Sequence, residues 1–68
     1  MQNLYLIELR ESRGLSQYQL ADKLGISPSA MSAYELGTRV PRDELKAKIA
    51  DYFGVSLLDL FYADIHAS

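Results

Sequence analysis

The side chains able to do covalent chemistry are few and scattered in this chain. It contains no Cys, which excludes thiolate nucleophiles, disulfides and cysteine zinc sites. Its one His, His66, stands in the last three residues. A metal site needs several convergent ligands, so no metal and no cofactor are expected. The carboxylates are spread along the chain, no glycine-rich loop could cradle a phosphate, and no nucleophile–base pair can be assembled. An enzyme is therefore the weakest reading. What remains is non-covalent chemistry. Ser27, Ser29 and Ser32 can donate and accept hydrogen bonds. Just beyond them Arg39, Arg42, Lys46 and Lys48 face only Asp43 and Glu44 between Gly37 and Lys48. Hydroxyls beside a cationic stretch are groups for recognising something, and for holding an anion.

The bulk numbers limit what can position those groups. A chain of 68 residues is expected to make one domain over 1–68, and with 49% apolar residues its core would be small. The formal net charge of −2 argues weakly against a polyanionic partner. Its distribution argues the other way. All seven Lys and Arg lie in residues 10 to 48, whereas Asp51, Asp59 and Asp64 sit in a tail without a basic residue. No apolar run approaches the roughly 20 residues of a membrane span, and no charged-then-apolar leader opens the chain. A cytoplasmic protein without a membrane partner is expected.

Helix punctuation dominates the local pattern, and strand signals are missing. Gly14, Gly25, Gly37 and Gly54 each follow an apolar-periodic segment, as helix-terminating glycines do. Ser16 with Gln19 forms a capping box, and Ser27 precedes Pro28 as an N-cap precedes a first-turn proline. Ser56 caps the last segment and Pro41 sets off the fourth. Helices are predicted at 3–13, 17–24, 28–36, 42–53 and 57–63, giving an all-α, compact five-helix bundle. The fourth is expected to pack through Leu45, Ile49, Ala50 and Phe53.

The second and third helices raise a question, because one long helix would have been simpler. Leu20, Ala21 and Leu24 share one face, and Ala30, Met31 and Tyr34 share another. Ala21 is small where two helices would cross, Gly25 makes the corner, and Ile26 plugs it. This is a helix–turn–helix over about 17–36. The later helix leaves Pro28, Ser29, Ser32 and Ala33 outward, a smooth face without the Glu and Lys of an ordinary solvent surface. A helix of that shape fits the DNA major groove, about 12 Å wide.

The stretch "RESRGLSQYQLADKLGISPSAMSAYELGTRVP" resembles the phage repressor and Cro type (Xre-like) helix-turn-helix family, and the likeness runs from about Leu6 to Phe61. It implies a lambda-repressor-like fold and a sequence-specific regulator that acts on double-stranded DNA by occupying an operator, as a repressor or phage switch protein. By that resemblance Ser27, Pro28, Ser29, Ser32 and Ala33 face base edges. Gln17, Thr38, Arg39 and Arg42 fall where relatives grip phosphates. Arg10 and Glu35 fall where the family places a partly buried salt bridge. This chain departs from many relatives in lacking Gln, Arg or Asn on the reading face, which leaves part of its specificity to DNA shape. Asp43 and Lys46 stand where relatives are often apolar. Leu58, Tyr62 and Ile65 extend an apolar stripe expected to form a two-fold interface, so a homodimer is expected. A second reading is an antitoxin-like or adaptor module that uses the fold to hold a protein partner. No small-molecule site is evident.

Overall fold

The computed structural model describes the backbone of residues 2–67 and the side chains of residues 2–62. Five helices follow one another: α1 (Leu4–Ser12), α2 (Gln17–Leu24), α3 (Pro28–Leu36), α4 (Asp43–Phe53) and α5 (Leu57–Ala67). The described residues contain no strand. This is the all-α, five-helix architecture expected: α2 and α3 have the expected bounds, α1 is shorter by one residue at each end, α4 begins one residue later, and α5 ends four residues later.

Each boundary has a local cause. Asn3 stands just before α1, its side chain accepting the Leu6 N–H at 3.1 Å, so the first helix begins at Leu4 and not at residue 3. At α2 the capping box is complete: Ser16 Oγ accepts from Gln19 N at 3.0 Å and Gln19 Oε1 accepts from Ser16 N at 2.9 Å. Ser27 Oγ accepts from Ala30 N at 3.1 Å, with Pro28 inside the first turn of α3. Ser56 Oγ takes the Leu58 N–H at 3.2 Å. Arg42 precedes α4 and makes no side-chain cap bond. The expected end of α5 at residue 63 is corrected to Ala67, with a break inside the helix at Tyr62 (φ −129°, ψ 15°).

The turn between α2 and α3 explains the interrupted pattern. Gly25 adopts φ +73°, which a side chain resists. Ile26 N then returns to Ala21 O at 3.0 Å, and Lys48 Nζ closes the α2 end by donating to Leu24 O at 2.9 Å. A cation at a helix C-terminus is favoured by the exposed carbonyls there. The corner is held from both sides.

The core runs through all five helices. Leu6, Leu20, Leu24, Met31 and Ile49 are fully buried, joined by Ala21, Ala30, Ala50, Phe53 and Leu60. Each large apolar side chain so buried contributes about 1.5–3 kcal/mol. Among the described residues two buried ones are charged, Glu35 and Lys46. Lys46 corrects the expected packing of α4: it is only 7% exposed, while Leu45 is half-buried. Its ammonium is accommodated by the Tyr62 hydroxyl at 2.6 Å, by Asp43 at 3.8 Å, and by the Tyr62 and Phe61 rings at 4.7 and 5.9 Å.

Candidate nucleic-acid interface

α3 has two unlike faces. Ala30, Met31, Tyr34 and Glu35 are buried, whereas Ser27, Pro28 and Ser29 are exposed. Ser32 and Ala33 were expected to be as open as these but are half-buried. The cover over Ala33 comes from the loop that follows. Its carbonyl accepts from Thr38 N at 3.1 Å, Thr38 Oγ1 at 3.3 Å and Arg39 N at 3.4 Å, and also from the Gly37 N–H. Gly37 lies at φ +79°, which lets the chain double back in this way.

That return places Thr38, Arg39 and Arg42 on the exposed surface immediately beyond α3. Arg39 lies over the Tyr34 ring with its guanidinium carbon 5.7 Å from the centroid. Thr38 spends its hydroxyl proton on Ala33 O, so toward an anion its side-chain oxygen has only lone pairs to offer. The basic stretch seen in the sequence therefore divides. Arg39 and Arg42 face solvent, Lys46 is buried against Tyr62, and Lys48 is exposed but gives a hydrogen bond to Leu24 O.

Behind α3 sits a compact polar network. Arg10 Nε donates to Glu35 Oε2 at 2.6 Å, Nη2 to Glu35 Oε1 at 3.2 Å, and Nη1 to Leu15 O at 2.7 Å. The expected Arg10–Glu35 bridge is present, with side chains 13% and 3% exposed. The hydrogen bond to Glu35 holds the Arg10 guanidinium above its ordinary pKa, against the opposing effect of burial. Gln17 joins the same carboxylate, its Nε2 donating to Glu35 Oε1 at 2.9 Å. A terminal amide has two N–H donors, so one remains for a group outside the protein. Every buried side-chain polar atom among the described residues has a partner.

The residues expected at a two-fold interface are not equivalent. Leu58 is 55% exposed. Tyr62 is half-buried and gives its hydroxyl to an intramolecular contact with Lys46. The side chain of Ile65 lies outside the described residues.

Two residues escaped the sequence reading. Asn3 donates its backbone N–H to Glu35 O at 2.8 Å and its side-chain amide to Leu60 O at 2.9 Å, joining α1 to α3 and α5. An Asn before an apolar helix start was the available signal for the cap. Arg13 donates to Phe53 O at 3.2 Å and lies 5.3 Å from the Phe53 ring centroid.

The family profile described as helix-turn-helix matches residues 6–60. The chain belongs to the helix-turn-helix family. Among curated proteins it is 36% identical over 53 residues to the cryptic phage CTXphi transcriptional repressor RstR of Vibrio cholerae, covering 78% of this chain and 48% of that one. It is 42% identical over 52 residues to the uncharacterized HTH-type transcriptional regulator YqaE of Bacillus subtilis, covering 76% and 45%. The same identity and length hold for the uncharacterized HTH-type transcriptional regulator MJ0272 of Methanocaldococcus jannaschii, covering 76% and 79%. The chain thus spans about half the length of the first two relatives.

Proposed function

We propose that this helix-turn-helix chain is a transcriptional regulator that binds double-stranded DNA and acts by operator occupancy, as a repressor does. The observation that carries this is the division of α3. Its inner face is buried and braced by Arg10, Glu35 and Gln17, and its first turn stands clear of the globule with only Ser27, Pro28 and Ser29 on it. Inserted into the major groove, the hydroxyls of Ser29 and Ser32 meet base edges and the Ala33 methyl lies at the margin of the contact. Arg39 and Arg42 then bear on phosphates, positioning the domain without reading sequence. Gln17 adds its free amide N–H at the start of α2, where unpaired backbone N–H groups also favour an anion.

The relatives named as transcriptional regulators support this reading, as does the family match. The chain acts as one domain over 1–68 and does no covalent chemistry. No helix among the described residues is long and apolar enough to cross a membrane, and we place the protein in the cytoplasm, at the nucleoid. A homodimer through Leu58 would set two copies of α3 one DNA turn, about 34 Å, apart. Selection of bound sequences from a random duplex pool tests the proposal. A consensus with two-fold symmetry is the expected result. Failure to retain any duplex in dilute salt would overturn it.

A further inference from the structure

Arg10 and Arg39 are held in opposite ways. Arg10 spends Nε, Nη1 and Nη2 on the Glu35 carboxylate and the Leu15 carbonyl, which leaves little of its guanidinium for an outside group. Arg39 is exposed and makes no ion pair among the described residues. Its guanidinium carbon stands 5.7 Å from the centre of the Tyr34 ring. The attraction of a cation to a ring face comes from the ring's quadrupole and consumes no hydrogen bond. A guanidinium braced in that way is fixed in space and keeps its N–H donors for a phosphate.

The ring is a firm support. Tyr34 is 8% exposed and belongs to the core, and its neighbour in α3, Glu35, is clamped by Arg10 and Gln17. The main chain at the other end of the Arg39 side chain is tied as well. Arg39 N reaches Ala33 O at 3.4 Å, and Thr38 N donates to the same oxygen at 3.1 Å. Root and tip of the side chain are therefore both referred to α3. An arginine without such a support spreads over many rotamers, and ordering it on a phosphate costs part of the affinity gained.

We infer that Tyr34 is a positioning residue for DNA binding: its ring holds the Arg39 guanidinium beside α3, so that the base contacts of the helix and the phosphate contact of Arg39 keep one register. The inference rests on the phosphate role proposed for Arg39. Buried as it is, Tyr34 acts through Arg39 and not on the duplex. Asp59 lines the same hollow as Tyr34 and Arg39, but no ion pair joins it to Arg39. The ring is the partner that the geometry supports.

Two measurements on the full chain test this. The first needs no DNA. Nuclear Overhauser effects connect the Arg39 Hδ protons with the Tyr34 ring protons, and the ring current moves the Hδ signals upfield. Tyr34→Phe and Asp59→Asn retain both features. Their absence from the wild type overturns the support, and so does their loss in Asp59→Asn, which would give the guanidinium to that carboxylate. The second is a binding cycle on a non-specific duplex in dilute salt. Tyr34→Leu weakens binding by about two- to fivefold, whereas Tyr34→Phe binds as the wild type does. In the Arg39→Ala background Tyr34→Leu has no further effect. A tyrosine that only supports the fold would weaken binding in both backgrounds, and that result overturns the positioning role. An equal loss in Tyr34→Phe also overturns it, because the ring face is still there. If Tyr34→Leu does not fold, Tyr34→pentafluoro-Phe takes its place, since it keeps the ring's shape and reverses its quadrupole. It should bind more weakly than Tyr34→Phe, and equal binding overturns the inference. Unchanged duplex binding by Arg39→Ala sinks the phosphate role itself, a result distinct from all of these.

Discussion

Gln17, the first residue of α2, donates to the same Glu35 carboxylate that Arg10 grips from α1, so three helices converge on one buried acid near the end of α3. The carboxylate is nearly inaccessible and its oxygens are both engaged. A charge buried in this way need not stabilise the fold more than a hydrophobic replacement would, but it punishes the loss of a single partner. The network therefore fixes where α3 stands more than it adds to stability.

A double-mutant cycle tests that statement. Arg10→Met and Glu35→Leu should each cost about 3–5 kcal/mol, because each strands a charge or its donors. The double variant should cost much less than the sum, as measured by urea unfolding. Simple additivity would show two independent residues. The raised pKa of Arg10 adds no pH dependence near neutrality: its stabilisation is complete below the ordinary arginine value and is lost only above it.

Gln17 should behave differently from its partners. Gln17→Ala removes a neutral donor and leaves Arg10 on Glu35, so a loss of about 0.5–1.5 kcal/mol in stability is expected. Affinity for duplexes of any sequence should fall with it. Retained stability together with reduced DNA affinity would give its side chain wholly to the phosphate.

For base reading, Ser29→Ala and Ser32→Ala should each cost roughly 0.5–1.5 kcal/mol on a selected duplex, with little change on random DNA. Ser29 should dominate, since it is exposed whereas Ser32 is half-buried. Titrations on the two kinds of duplex check this, and equal losses on both would remove the serines from the reading face.

Arg39→Ala should weaken binding to all duplexes alike and lower the slope of log affinity against log salt by about one. The readout is a binding series across salt concentrations. A loss confined to the selected sequence would place Arg39 in a groove.

Lys46 and Tyr62 make a fifth test. Tyr62→Phe takes an oxygen from a buried ammonium, at about 1–3 kcal/mol. Lys46→Met replaces the cation with an apolar chain of similar length, and should be neutral or stabilising. In the Lys46→Met background Tyr62→Phe should cost little. Thermal unfolding of the four proteins decides it.

Where the chain's own grammar is local, the residues made it readable. Ser16, Gln19, Gly25, Ser27 and Pro28 act within one turn of themselves, and the structure has them capping and turning as expected. The Arg10–Glu35 bridge came from resemblance, and no local rule would have found a pair 25 positions apart. Lys46 was opaque for the same reason. A lysine in a helix reads as solvent-facing, and only the arrival of Phe61 and Tyr62 from α5 makes its buried place tolerable. Asn3 could be read as a cap, but not as a tie to Leu60, 57 residues away. Within the candidate interface the exposed start of α3 was legible. The partial cover on Ala33 was not, because it follows from how the next loop folds back onto its carbonyl.

That fold-back hangs on a single peptide oxygen, Ala33 O, which gathers donors from Gly37, Thr38 and Arg39. Three of those four donors are main-chain groups, and of the residues that carry them only Gly37, at φ +79°, is held to its type by the backbone. Mutation can therefore exchange Thr38, Arg39 and Ser29 while the scaffolding set by Ser27, Pro28 and Gly37 stays put. Such an arrangement lets a lineage change its target address step by step without first dismantling the machine that reads it.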